Sequence, residues 1–121
     1  MAWPCYLVEH CPGESLWRLP GEAEFSLGWN DLRPGAIWFE DGDRDDLAVK
    51  LPSNSEWHVD RGRLMNAQPD RAGKKPLPQW TRTGDAPNVT ASPSINHQGQ
   101  YHGWLQNGVL TDDCEGRAFS L

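Results

Sequence analysis

Apolar residues in this chain come in short runs, some compact and one alternating. Residues 47–51 set Leu47, Val49 and Leu51 against Ala48 and Lys50, the two-residue period of a strand with one face buried. Residues 36–39 form a compact apolar run, and the acidic stretch 40–46 lies between the two, so the pair predicts a β-hairpin. Residues 55–59 predict a further short strand carrying Trp57 and His58. Nearer the start, residues 5–19 read as two strands around a turn at Cys11-Pro12-Gly13, stopped by Pro20-Gly21. Residues 25–29 fit either a short strand or a lone helical turn.

Residues 89–110 carry the clearest signal. Asn107-Gly108 separates an apolar-aromatic run from Val109-Leu110, and a type I′ turn needs positive φ at both central positions, which Asn and Gly accept at little cost. His102 and Trp104 then share one strand and point to one face. Pro93 cannot donate to a ladder, so it predicts an edge or a bulge. Trp38, Trp57 and Trp104, inside strands, are expected to be buried, whereas Trp3 and Trp29 flank turns and are expected at the surface. The expected architecture is mainly β: a small antiparallel sheet, sandwich or half-open barrel built from hairpins, with little helix. Residues 61–79, with three prolines and few apolar groups, are expected to be a long basic loop within a single domain spanning 1–121.

Composition narrows the function classes. The 121 residues carry a net charge of −6, which argues against a general nucleic-acid binder, because such affinity comes chiefly from Lys and Arg on phosphate. Charge is also unevenly spread. Residues 60–79 hold five basic side chains against two acidic ones, a net of +3, which leaves −9 for the remainder. The acidic bulk predicts a protein partner with a basic surface, contacted through Glu40, Asp41, Asp43, Asp45 and Asp46, with Trp29 as an aromatic anchor beside them. The acidic stretch does not fit a calcium-binding EF-hand loop, since Asp46 and Pro52 stand where glycine and glutamate are required. No window is apolar enough to span a membrane, and the first residues lack the pattern of a secretory signal, so a cytoplasmic location is expected. Three cysteines without a CxxC pair suit reduced thiols better than a disulfide scaffold.

Thiol and imidazole groups add one candidate site. Cys11, His97, His102 and Cys114 are the ligand types that hold zinc, and joined across the sheet they would staple its two ends, although their spacing matches no standard finger. Cys11 and Cys114 serve equally as small buried hydrophobes. Cys114 and His102 would also be neighbours once the terminal hairpin closes, but no GxSxG, HExxH or phosphate-cradling glycine loop is present, and no catalytic residue is assigned.

Two segments resemble a known family. His10-Cys11-Pro12-Gly13 followed by Leu19-Pro20, and Thr90-Ala91-Ser92-Pro93-Ser94-Ile95 followed by residues 102–109, HGWLQNGV, resemble a small domain of unknown function from bacteria and tailed phages that is described as metal-binding. The resemblance covers roughly a third of the chain. Two positions where such relatives have cysteine carry Glu14 or Ser15 and Gly99 here, so the resemblance implies a metal site lost or rebuilt from His97, Cys114 and a carboxylate. It also implies a phage or mobile-element setting. The reading that follows is a phage-type accessory protein acting by protein contact, as an inhibitor of a host defence complex. A zinc-binding domain with hydrolase-like activity and a virion or assembly component are the alternatives.

Overall fold

A computed structural model describes residues 2–119, and its strands follow the predicted hairpins closely. Three sheets are stacked. The first has five strands in the order β1 (Trp3–Pro4), β11 (Val109–Leu110), β10 (Tyr101–Gln106), β9 (Thr90–His97) and β8 (Thr81–Thr83). The second has four, β2 (Tyr6–Leu7), β5 (Ala36–Phe39), β6 (Leu47–Lys50) and β7 (Glu56–His58), with β2 parallel to β5 and the rest antiparallel. The third is a two-stranded hairpin of β3 (Glu9–His10) and β4 (Trp17–Arg18). The strand order closes no barrel. The N-terminal run from Trp3 to His10 passes through all three sheets in turn and laces them together.

Alternation along β5, β6 and β7 decides what faces what. Ile37, Leu47, Val49, Leu51, Trp57 and Val59 pack with Val89, Ala91, Ile95, Tyr101, Leu105 and Leu110 between the two large sheets. On the opposite face, Ala36, Trp38 and Ala48 form a second core with Val8, Trp17 and Leu32 beneath the two-stranded hairpin. Each side chain fully buried in these layers contributes about 1.5–3 kcal/mol. Along the four-stranded sheet, odd positions therefore fill the inner core, and even positions face a separate outer one.

The terminal turn takes the expected form. Asn107 and Gly108 have φ of 49° and 74°, and Leu105 pairs with Leu110 across a two-residue loop. The β9–β10 register shifts between Gly103 and Leu105, opposite Pro93, which is the bulge proline imposes. Residues 25–29 yield a bridge from Leu27 to Trp17 and the start of a 3-10 turn, Trp29–Asp31.

Three expectations are corrected. Residues 61–79 are not a bare loop: α1 (Arg61–Asn66) and a 3-10 turn at Pro69–Arg71 organise them, and the Asn66 carboxamide clamps Leu77 by accepting from its N–H and donating to its carbonyl, both at 2.9 Å. Trp3 is buried at 6% exposure because β1 pairs with β11 and brings it under Phe119, whereas Trp104 is 40% exposed on the outer face of β10. Trp29, expected at the surface, is half-buried, since its ring packs against Trp17 and Trp38 and lies 4.5 Å from the Lys50 ammonium. β1, with two residues, carries no alternation from which the face of Trp3 could have been read.

Candidate functional site

Register brings together what the sequence keeps apart. Ala48 pairs with Trp38 on one side and with His58 on the other, so these three side chains form a row on the outer face of the four-stranded sheet. Two residues from this row, Glu40 and Asp46 face each other beyond one end of it, and Glu56, opposite Lys50, lies beyond the other. Ala48, fully buried, packs with Trp17 and Trp38.

His10 enters from the two-stranded hairpin, with a side chain only 7% exposed. Its Nδ1 lies 3.4 Å from both Glu40 Oε1 and Asp41 Oδ1. The second Glu40 oxygen accepts from Trp38 Nε1 at 3.0 Å, which fixes the carboxylate over the row. On the far side, His58 is held from both ends, with Nε2 at 3.3 Å from Glu56 and Nδ1 at 3.2 Å from Asp46. Arg61 reaches Asp46 at 3.1 Å and His58 Nδ1 at 3.0 Å. Burial opposes the charge on His58, but the Glu56 hydrogen bond and charge, with help from Asp46, outweigh burial and the nearby Arg61, so its pKa is raised.

These residues form two overlapping groups, His10, Glu40 and Asp41, and Glu40, Glu56 and His58, in each of which the ligand atoms lie within 4.8 Å of one another. Both could hold a metal ion, and Glu40 belongs to both. Beside them lies a cleft of about 350 Å³ lined by His10, Ser15, Trp17, Trp29, Glu40 and Glu56. Its aromatic walls are braced edge to face. Trp17 stands 5.9 Å from Trp29 and 5.3 Å from Trp38, and Trp29 lies 6.2 Å from Trp38. The buried Trp17 Nε1–H has no partner among the described residues.

Lys50 supports this wall from below. Its ammonium, on a residue 4% exposed, donates to the Trp29 carbonyl at 2.7 Å and the Leu32 carbonyl at 2.6 Å, and sits 4.5 Å from the Trp29 ring centroid. Burial lowers its pKa, opposed by the charge of Asp31. The 3-10 turn bearing Trp29 is thus pinned to β6 by a single cation.

The thiol and imidazole candidates lie elsewhere. Cys11 begins the turn of the two-stranded hairpin, and His97 ends β9 with Nδ1 at 3.4 Å from Ser55 Oγ. His102 lies on the outer face of β10, with Nδ1 at 2.9 Å from Glu115 and Nε2 at 3.3 Å from Ser94. Cys114 donates its backbone N–H to the His102 carbonyl, while the residue itself is exposed. Among the described residues, no group of three with ligand atoms within reach of one another includes Cys11, His97, His102 or Cys114: Cys11 belongs to another sheet, and His97 and His102, although on neighbouring strands, are one position out of register. Burial pushes the Cys5 thiol up to about 12, which leaves it a packing residue.

The acidic turn is ordered and divided in its roles. Glu40 and Asp46 point inward to the pairs described above, whereas Asp41, Asp43 and Asp45 are exposed. Asp43 Oδ1 accepts from the Asp45 N–H at 2.9 Å, and Asp41 Oδ1 accepts from the Gly13 N–H at 3.2 Å, which docks the turn on the neighbouring hairpin. Sequence reasoning missed His10, Glu56 and His58 as members of one site. The even-numbered alternation of the strands, extended one step past each end, is the signal that could have found them.

Among the described residues no helix is long and apolar enough to cross a membrane. No protein-family model matches the chain, and neither a curated protein nor a solved structure matches it at a significant level. The resemblance of the two end segments therefore rests on those residues alone.

Proposed function

We propose that this chain acts by protein contact, as a phage-type accessory protein that binds the basic surface of another protein, with a bacterial defence complex as the target class. One observation carries the contact: Asp41, Asp43 and Asp45 project from a turn whose backbone is already fixed by Asp43 and by the Gly13 contact. An ordered acidic projection loses little conformational freedom on binding and attracts a basic patch at a salt-sensitive rate. The phage setting and the target class follow from the resemblance of the end segments. Titration with a deca-arginine peptide tests the contact. Binding that weakens with salt and is lost in the Asp41→Lys, Asp43→Lys, Asp45→Lys triple variant, with its circular dichroism unchanged, is the expected result; undiminished binding by that variant would remove the reading.

A second reading is favoured by the two overlapping ligand groups on Glu40. Imidazole nitrogen and carboxylate oxygen donors suit zinc among divalent ions. A metal on His58 competes with the proton that Glu56 and Asp46 help to hold there, so affinity would rise with pH through the raised His58 pKa. Calorimetric titration with zinc checks it, and Glu40→Gln should abolish binding by removing the carboxylate common to both groups.

A further inference from the structure

We propose that the cleft between Trp17 and Trp29 is a receptor for one arginine side chain of that basic partner. The inference rests on the contact reading above and names the chemistry of its anchor. At about 350 Å³ the cleft lies at the small end of ligand sites, the scale of a side chain rather than of a cofactor. Two indole rings and the His10 imidazole, 5.2 Å from Trp17, make its walls. Glu40 and Glu56, with side chains 24% and 39% exposed, bring two carboxylates to it. Its lining contains no Lys or Arg.

Arg18 lies over Phe25 at 4.1 Å, Arg33 over Tyr6 at 4.9 Å and Arg44 over Phe39 at 5.2 Å, so the chain already stacks its own guanidinium groups on three of its rings. The Trp17 and Trp29 cleft offers indole surface with carboxylates beside it and no Lys or Arg in its lining, the Lys50 ammonium 4.5 Å from the Trp29 ring centroid not being part of that lining. Guanidinium fits better than ammonium, because a planar delocalised cation can stack on an indole while its N–H fork reaches carboxylates on either side. Both aromatic walls are held in place before any ligand arrives, Trp29 by Lys50 and Trp17 by Trp38. The adjacent acidic turn would meet the basic residues that flank such an arginine.

The probe is N-acetyl-arginine amide, followed by the indole N–H resonances of Trp17 and Trp29 in the full chain. Saturable shifts at these two indoles, about two- to fivefold weaker binding of N-acetyl-lysine amide, and a similar loss in Glu56→Gln are expected. Ser15→Arg supplies a tethered guanidinium from the rim and should abolish the response with the fold intact. Reversal of Asp43 and Asp45 alone, which leaves the Asp41 contacts with His10 and Gly13 in place, should lose the deca-arginine peptide yet keep the response to the single arginine. In the native chain, peptide binding without shifts at Trp17 and Trp29 would overturn the receptor and leave the acidic contact standing, and absence of both responses would overturn both. A saturable response of these indoles to zinc but not to arginine would also overturn the receptor.

Discussion

Replacing Lys50 with methionine keeps the aliphatic stem and removes the one charge that holds the Trp29 turn to the sheet. Two carbonyls, of Trp29 and Leu32, then lose their donor. Each buried acceptor left without a partner costs about 1–3 kcal/mol, and the lost contact with the Trp29 ring adds about 0.5–1 kcal/mol. Relief from burying an ammonium offsets part of this, so a net loss of about 2–4 kcal/mol is expected. For a domain of this size that corresponds to a fall in Tm of roughly 10 °C. Urea denaturation followed by far-ultraviolet circular dichroism measures it directly, and the midpoint should fall with the slope unchanged. The sign of the pH dependence gives a second check. Burial lowers the Lys50 pKa, so the penalty for its charge is present below that lowered value and is relieved as pH rises towards 10.5, a trend the methionine variant should lack. A loss below about 0.5 kcal/mol would refute the reasoning, because it would mean that the desolvation cost cancels both hydrogen bonds.

Three further outcomes follow from the same geometry. Gly62→Ala would bring a Cβ to 1.9 Å from the Pro78 carbonyl oxygen, so it should destabilise by about 2 kcal/mol or more in denaturation; helix propensity alone predicts a gain of about 1 kcal/mol, and the sign decides between them. Asn66→Ala removes both hydrogen bonds to Leu77 and should cost about 1–3 kcal/mol, with faster amide exchange confined to residues 67–79. The raised His58 pKa gives stability that is fully present below 6.5 and lost as pH rises through the folded value, while His97, lowered by burial and by the charge of His58, carries a penalty present below its folded value and gone by 6.5. Stability measured against pH should therefore fall on the alkaline side of 6.5 in the native chain, and His58→Gln should flatten that limb.

The hairpins were legible because their information is local. Alternation at residues 47–51 and the chemistry of Asn107-Gly108 each specify a face and a register without reference to the rest of the chain. Pro93 was legible for the same reason as an edge or a bulge, and the structure makes it a bulge. The burial of Trp3 was not, because β1 has two residues and its face is set by pairing with β11, more than one hundred positions away. Trp104 obeys the alternation of β10, whose outer face it shares with His102 as expected; only the assumption that both faces are covered failed. The helix at Arg61–Asn66 was hidden by Gly62, which lowers helix propensity but allows the close approach to Pro78.

The candidate site was less legible than the fold. Attention to cysteine and histidine favoured Cys11, His97, His102 and Cys114, of which Cys11 lies in another sheet while His97 and His102 sit one position out of register on neighbouring strands, and no three of them converge. The cluster that does form draws on three distant segments, at His10, at residues 40–46 and at residues 56–58, and only the β5–β6–β7 register unites them. The acidic residues read as one exposed patch divide in two. Glu40 and Asp46 serve the interior of the cluster, joined by Asp41, which is exposed but keeps one oxygen 3.4 Å from His10, and Asp43 and Asp45 face outward. Trp29 keeps a role beside them as a braced wall.

Hydrogen exchange of the full chain with and without the deca-arginine peptide tests the central claim most directly, because an acidic protein can attract a polycation anywhere on its surface and only the location of protection distinguishes a built contact. Protection concentrated at residues 40–46, extending to residues 15–17 and 29–32, is the predicted result. Protection spread evenly over the acidic surface, or concentrated on the outer face of β10 around Trp104, would contradict it.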